Sequence, residues 1–193
     1  MREKLAAQNF LTTVVEQDNN RTAARVTAPM VDIIAPGDAE TIVAALADPR
    51  IRIVSMTITE GGYFIDASGA FNPGHPAIFQ DGQNPDRPKT VFGLIVAGLK
   101  RRRAKGIAPF TIMSCDNIPG NGEVTENAVV GLAALSDPAF ADWIAANVAF
   151  PSSMVDRTTP APGQREIDFL RDTFGIDDNW PVFCEEFKQW VME

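Results

Sequence analysis

The chain has 193 residues, 45% of them apolar and 22% charged, with a formal charge of −8. That length buries a real core, and the acidic balance argues against nucleic-acid binding, because a phosphate backbone repels such a chain. No apolar run reaches the roughly 20 residues of a membrane helix, and Met1–Ala6 lacks the apolar centre of a signal peptide.

The first expected strand covers Phe10–Glu16, followed by turn chemistry at Asp18, Asn19 and Asn20. A second is expected over Arg25–Ile34, stopped by Ala35, Pro36 and Gly37. Asp38 then caps a helix carrying Ile42, Val43 and Leu46, which ends at Asp48-Pro49 because the residue before proline is pushed out of helical geometry. Ile51–Thr59 is dense in β-branched residues and reads as a core strand running into Glu60-Gly61-Gly62-Tyr63. Asp66 to Lys89 reads as a long loop, rich in Gly, Pro, Asn and Asp. Phe92, Ile95, Val96 and Leu99 mark a helix over Thr90–Arg103.

Pro109–Met113 is the next buried-type strand, leading into Ser114-Cys115-Asp116-Asn117 and Pro119-Gly120-Asn121-Gly122. Helices are expected from about Glu123 and from Asp137-Pro138, a strand end at Met154–Arg157, and a helix over Ile167–Phe174; Val182–Met192 fits either class. Strands alternating with helices across Ile33–Asp156 imply βαβ units and an α/β fold with a mostly parallel sheet flanked by helices. Ligands of such sheets sit outside the carboxyl ends of the strands. Three polar segments lie there: Thr59–Tyr63, Ser114–Gly122 and Asp156-Arg157.

Each candidate group has two readings. Asn117 and Asn121 offer neutral amides to a developing oxyanion or a coenzyme amide, or they simply make turns and cap helices. Glu60 is a ligand-binding carboxylate or a cap. Asp156 accepts from ribose hydroxyls or pairs with Arg157. His75, the only histidine, could join Cys115 as a nucleophile pair, against its reading as a surface-loop side chain. No His/Cys spacing resembles a metal-ligand set. Lys100-Arg101-Arg102-Arg103 complements a helix dipole. Cys115 and Cys184 do not form a disulfide framework, so a reducing, cytoplasmic setting is expected. The fingerprint Gly-x-Gly-x-x-Gly of a dinucleotide site is absent.

Three segments resemble the mannitol dehydrogenase family of polyol-specific long-chain dehydrogenase/reductases. They are Thr59–Tyr63, Ser114–Gly122 and the run Phe150-Pro151-Ser152-Ser153-Met154-Val155-Asp156-Arg157-Thr158-Thr159-Pro160, which departs from the family only at Thr158, usually isoleucine or valine. Pro181–Val191 is similar to a further family stretch, so the likeness covers nearly the whole chain in order. It implies metal-independent hydride transfer between a sugar alcohol and a ketose, with NAD as coenzyme and NADP left open. It assigns the reacting oxygen to Asn117 and the coenzyme's surroundings to Glu60, Asn121 and Asp156. It also implies that residues 1–193 form one incomplete, partial Rossmann-like nucleotide-binding domain. The first glycine-rich βαβ segment would precede Met1. The C-terminal helical domain, with the general-base lysine of a Lys-x4-Asn-x2-His pattern, would follow Glu193. Lys188 does not fit that pattern. On this reading the isolated chain has negligible turnover; the alternative is a non-catalytic remnant used for binding or assembly. The resemblance leaves the identity of the polyol and the oligomeric state open.

Overall fold

A computed structural model describes residues 2–18, 20–66 and 69–193. The expected turn at 18–20 and loop at 66–89 therefore include residues outside that set, Asn19, Ala67 and Ser68. In chain order the elements are α1 (Arg2–Ala7), β1 (Thr12–Gln17), β2 (Thr22–Thr27), α2 (Ala39–Leu46), β3 (Ile53–Met56) and a one-turn 3-10 helix (Glu60–Tyr63). Next come α3 (Pro76–Gln83), α4 (Val91–Ala104), β4 (Thr111–Ser114), α5 (Asn121–Ala134) and α6 (Pro138–Asn147). The chain closes with β5 (Ser153–Asp156), α7 (Gln164–Phe174), β6 (Val182–Glu185) and β7 (Gln189–Met192). Helices thus flank small, partly parallel sheets in an α/β arrangement. No helix among the described residues is long and apolar enough to cross a membrane.

The elements divide into two compact units. Met1–Ala35 with Asp156–Gln189 forms the first, around the sheet β2-β1-β6, in which β1 runs antiparallel to β2 and parallel to β6. Asp18 Oδ1 accepts from the backbone N–H of Asn20 and Arg21, which closes the β1–β2 turn. β2 stops well short of Ile34, because Pro29 has no N–H to give a ladder. Leu170 of α7 is buried against Val15 and Phe183. α7 begins earlier than its apolar spacing suggests, since Glu166 Oε2 reaches back to the Gly163 N–H at 2.9 Å. Buried Asp178 accepts from Thr13 N at 2.6 Å, Gln8 Nε2 at 2.7 Å and Trp180 N at 2.8 Å. Arg157 pairs with Glu16 at 2.7 Å instead of with its neighbour Asp156, and also donates to Glu185 O.

Pro36–Val155 with Trp190–Glu193 forms the second unit. β3 and β4 pair in parallel, Ile53 opposite Thr111 and Met56 opposite Ser114. Their inner faces join Phe92, Ile95, Leu99, Val129, Leu132, Phe140 and Ile144 in one core. Thr90, expected inside α4, instead caps it, and Asp137, expected to open α6, is its cap. The expected loop at 66–89 instead holds α3. Pro76 stands at its first position and His75 caps it, Nδ1 accepting from Ala77 N at 3.3 Å. His75 is accordingly a half-buried cap packed on Phe64.

The basic run is spent on packing. Buried Arg102 reaches across to the end of α2, donating to Leu46 O at 3.0 Å and Asp48 O at 2.8 Å, and to Ala108 O at 2.7 Å. Arg101 forms a two-pronged pair with Glu40, and Arg103 lies over the Phe140 and Trp143 rings. Dipole complementation is therefore only part of what these charges do.

Replacing Arg102 by methionine removes the side-chain donors to Leu46 O and Ala108 O and one of two donors to Asp48 O, and is expected to cost on the order of 2–4 kcal/mol in denaturant unfolding. A second expectation concerns pH. The Arg157 guanidinium holds the Glu16 carboxyl below the usual glutamate range. A depressed carboxyl stabilises the fold above its unfolded value of about 4.3, and this contribution is lost as pH falls through the lower folded value. Glu16→Gln should therefore lower the Tm at pH 7, with the gap to the parent closing as the pH is taken down through that range.

Candidate active site

The chemistry gathers where the second unit's strands end. At the end of β4, Cys115 N donates to Met56 O at 2.8 Å, keeping β3 and β4 together past their ladder. Asn121 opens α5 and is only 2% exposed. Its Nδ2 donates to Asp116 O at 3.0 Å, Ser153 O at 2.6 Å and Ser114 O at 3.5 Å, while its Oδ1 accepts from Ser153 N at 3.0 Å. Ser153 Oγ also donates to Ser114 O at 2.5 Å. The start of β5 is thus riveted to the end of β4 by one buried amide. Gly122 lets α5 lie this close: a side-chain carbon there would stand 2.5 Å from Phe150 O.

The β3 end is joined by Asp116. Its carboxylate accepts from Ile58 N at 2.8 Å, Thr59 N at 3.1 Å and the Tyr63 hydroxyl at 2.7 Å. Tyr63 is fully buried, and burial pushes its hydroxyl well above the ordinary tyrosine value, so it stays protonated. Thr59 sits at φ 62° and ψ 164°, a region essentially reserved for glycine, which costs about 1–3 kcal/mol. Glu60 follows as the first residue of the 3-10 turn, beyond the strand whose end it was expected to mark.

Two hollows open at these strand ends. One, of about 490 Å³, is lined by Thr59, Glu60, Gly61, Asp116 and Asn117. The other, of about 270 Å³, runs from Asp116 and Asn117 over Gly120 and Asn121 to Ser152–Met154, Val191 and Glu193. Both share Asp116 and Asn117, so the exposed Asn117 amide stands on their common rim. Glu60 is exposed on the first hollow, and a side-chain carbon at Gly61 would meet no protein atom within 4 Å. Asp156 is exposed at the end of β5 and belongs to the first unit. The structure therefore brings Glu60, Asn117 and Asn121 to one edge, with Asn121 fully engaged by protein.

The linings combine neutral amides, hydroxyls and carboxylates and include no lysine or arginine. That donor set fits the hydroxyl- and amide-bearing end of a nicotinamide coenzyme; the second hollow also takes in the N-terminus of α5 at Gly120 and Asn121, which no side chain caps. Among the described residues no group of three His, Cys, Asp or Glu is placed to hold a metal ion. A larger hollow of about 620 Å³ lies among α2, Pro85–Lys89 and α4, but its lining includes none of the strand-end residues. Asp116 and Tyr63 are the site's residues that sequence reasoning passed over: an Asp-Asn pair after a strand reads as a turn, and nothing local tells which member serves the ligand.

A parallel βαβ unit with its polar groups gathered at the strand ends is a nucleotide-binding domain of the Rossmann type. The chain belongs to the mannitol dehydrogenase family: the description "Mannitol dehydrogenase Rossmann domain" matches residues 1–193. It is 55% identical to mannitol 2-dehydrogenase of Cereibacter sphaeroides and 44% identical to the polyol:NADP oxidoreductase of Gluconobacter oxydans, over 100% and 99% of its own length. Among solved structures, the Pseudomonas fluorescens mannitol 2-dehydrogenase in ternary complex with NAD and D-mannitol superposes with a TM-score of 0.95 at 49% identity, covering the whole chain. A D-sorbitol dehydrogenase in substrate-free form gives 0.93 at 43%, over 99% of the chain. The chain spans about 40% of the length of each of these four proteins.

Asn121→Ala should cost on the order of 3 kcal/mol in urea unfolding, since it removes a buried amide that donates to Asp116 O and Ser153 O and accepts from Ser153 N. Asn121→Asp should be worse at pH 7 and recover as the pH is lowered. Facing three carbonyls, the new carboxyl has a raised pKa, so its penalty is present when it is ionised and fades on protonation.

Proposed function

We propose that this chain forms the nicotinamide- and substrate-facing part of an oxidoreductase that interconverts a sugar alcohol and a ketose by metal-independent hydride transfer. The observation that carries the reading is the position of Asn117, an exposed neutral amide on the shared rim of two hollows, with the Glu60 carboxylate on one of them. NAD, when bound, supplies the hydride acceptor. Asn117 Nδ2 donates to the carbinol oxygen, and this donor gains strength as negative charge develops there. Glu60 and the backbone of Gly61 orient hydroxyl groups at the mouth of the first hollow, fixing the reacting carbon against the ring. Asn121 acts through the backbone it pins, since its own amide is fully engaged. Asp156 enters as a ribose partner from the family resemblance alone.

The Pseudomonas fluorescens relative's complex with NAD and D-mannitol supports a polyol substrate, and the Gluconobacter oxydans relative's name keeps NADP beside NAD. Cys115 and Cys184 are both free thiols, in keeping with a cytoplasmic setting. The net charge of −8 supports a small-molecule partner over a nucleic acid.

The test is a titration of the 15N-labelled protein with NADH and then mannitol. Resonances of Thr59, Glu60, Gly61 and the Asn117 side-chain amide are expected to shift saturably, while those of Val43, Lys89 and Ala97 in the larger hollow stay still. Asn117→Ala should weaken the polyol response about tenfold, the equivalent of one lost hydrogen bond. Silence at 59–61 and 117 at millimolar ligand, or shifts confined to the larger hollow, would overturn the reading.

A further inference from the structure

The proposed function uses Glu60 and Asn117, and the group that ties their two segments together is Asp116. Its place in the hydrogen-bond pattern is over-determined. A carboxylate only accepts, so the Tyr63 hydroxyl must give its one proton to Asp116 Oδ2. The 2.6 Å contact between Tyr63 Oη and Ser114 Oγ is then donated by the serine. Ser114 Oγ in turn accepts from the backbone N–H of Asp116 at 3.2 Å. The ring of donors closes in one direction only, with Tyr63 and Ser114 both buried. The remaining lone pairs of Asp116 take the N–H groups of Ile58 and Thr59, directly ahead of Glu60.

Thr59 is the second observation. A glycine would hold φ 62° and ψ 164° unaided, whereas a threonine needs its surroundings to hold it there. The side chain contacting its N–H is Asp116. Released from that conformation, the Glu60-Gly61 segment would leave the face of the hollow that Asn117 bounds.

We propose that Asp116 is a positioning residue: its carboxylate, oriented by Tyr63 and Ser114, latches Thr59 in a backbone conformation foreign to threonine and so presents Glu60 and Gly61 to the hollow bounded by Asn117. The placement of the ligand rests on the function proposed above; the latch does not. Two readouts separate them, amide hydrogen exchange at Ile58 and Thr59 and the NADH dissociation constant followed at Glu60 and Asn117. Asp116→Asn is expected to speed exchange at both amides at least tenfold and to raise the dissociation constant about tenfold, the scale of one hydrogen bond. Adding Thr59→Gly to Asp116→Asn should restore most of the affinity, because glycine needs no latch; a residue that merely supported the fold would not be rescued this way. Tyr63→Phe, which keeps the ring and removes only the hydroxyl, should move exchange in the same direction by a smaller factor and covers the case in which Asp116→Asn fails to fold. Unchanged exchange at Ile58 and Thr59 in Tyr63→Phe and in a folded Asp116→Asn overturns the latch, whatever the coenzyme does. Faster exchange with unchanged affinity, or no rescue by glycine, overturns the positioning role. A parent protein blind to NADH overturns the proposed coenzyme site, and exchange alone then decides the latch.

Discussion

The carbonyls of Ser114, at the end of β4, and of Asp116, just past it, take side-chain donors from Asn121 Nδ2 and Ser153 Oγ, beside the backbone N–H that Ile118 gives Asp116 O. A buried carbonyl without a donor costs a kilocalorie or more, so a strand can stop inside a protein only where side chains finish its hydrogen bonding. Asn121 does this for β4 and for the start of β5 at once, and Asp116 does the complementary task for the N–H groups beyond β3. In the proposed site, Glu60 is reached through Asp116, which also directly precedes Asn117. The geometry of the site is therefore a by-product of satisfying strand ends, and this is why it lies at the carboxyl edge.

The same economy governs the helical face. Arg102, in the last turn of α4, supplies donors to the last carbonyl of α2, Leu46 O, and to Asp48 O just beyond it, adding to the backbone N–H that Ala47 gives as C-cap. Gly98 makes room for that crossing, since a side-chain carbon there would stand 2.7 Å from Leu46 Cβ. A lysine would not serve in place of Arg102: its point charge cannot spread donors over three carbonyls in different directions.

What the sequence made legible follows from how local each signal is. Thr90 and Asp137-Pro138 announce their helices because a cap and its helix lie within four residues. Ile51–Thr59 announces a strand through its β-branched density, but the expected core strand shrinks to Ile53–Met56, of which only Met56 is buried while Ile53 is 58% exposed; Pro109–Met113 announces β4, whose last three residues are buried. α3 was hidden by its setting. His75-Pro76 is a serviceable cap and first-turn pair, but it stands among Gly, Pro and Asn that suggest loop, and burial of Ile78, not propensity, makes it a helix. β6 and β7 were illegible because each is four residues long and exists only through a distant partner. In the site, Asn117 and Glu60 could be read from their place after strands. Asp116 could not, because its role depends on Tyr63 and Thr59, more than fifty residues earlier.

Charge divides the work of the site. The two hollows around Asn117 are lined by Glu60, Asp116 and Glu193 among neutral groups. A dinucleotide carries its two negative charges on the pyrophosphate, which these carboxylates would repel, while its nicotinamide riboside end and a polyol carry hydroxyls that carboxylates bind well. On the function proposed above, the carboxylates of the linings favour the hydroxyl-bearing end of such a coenzyme. On the same proposal, the neutral amide of Asn117 is the donor that can follow an oxygen from hydroxyl to alkoxide without adding negative charge of its own.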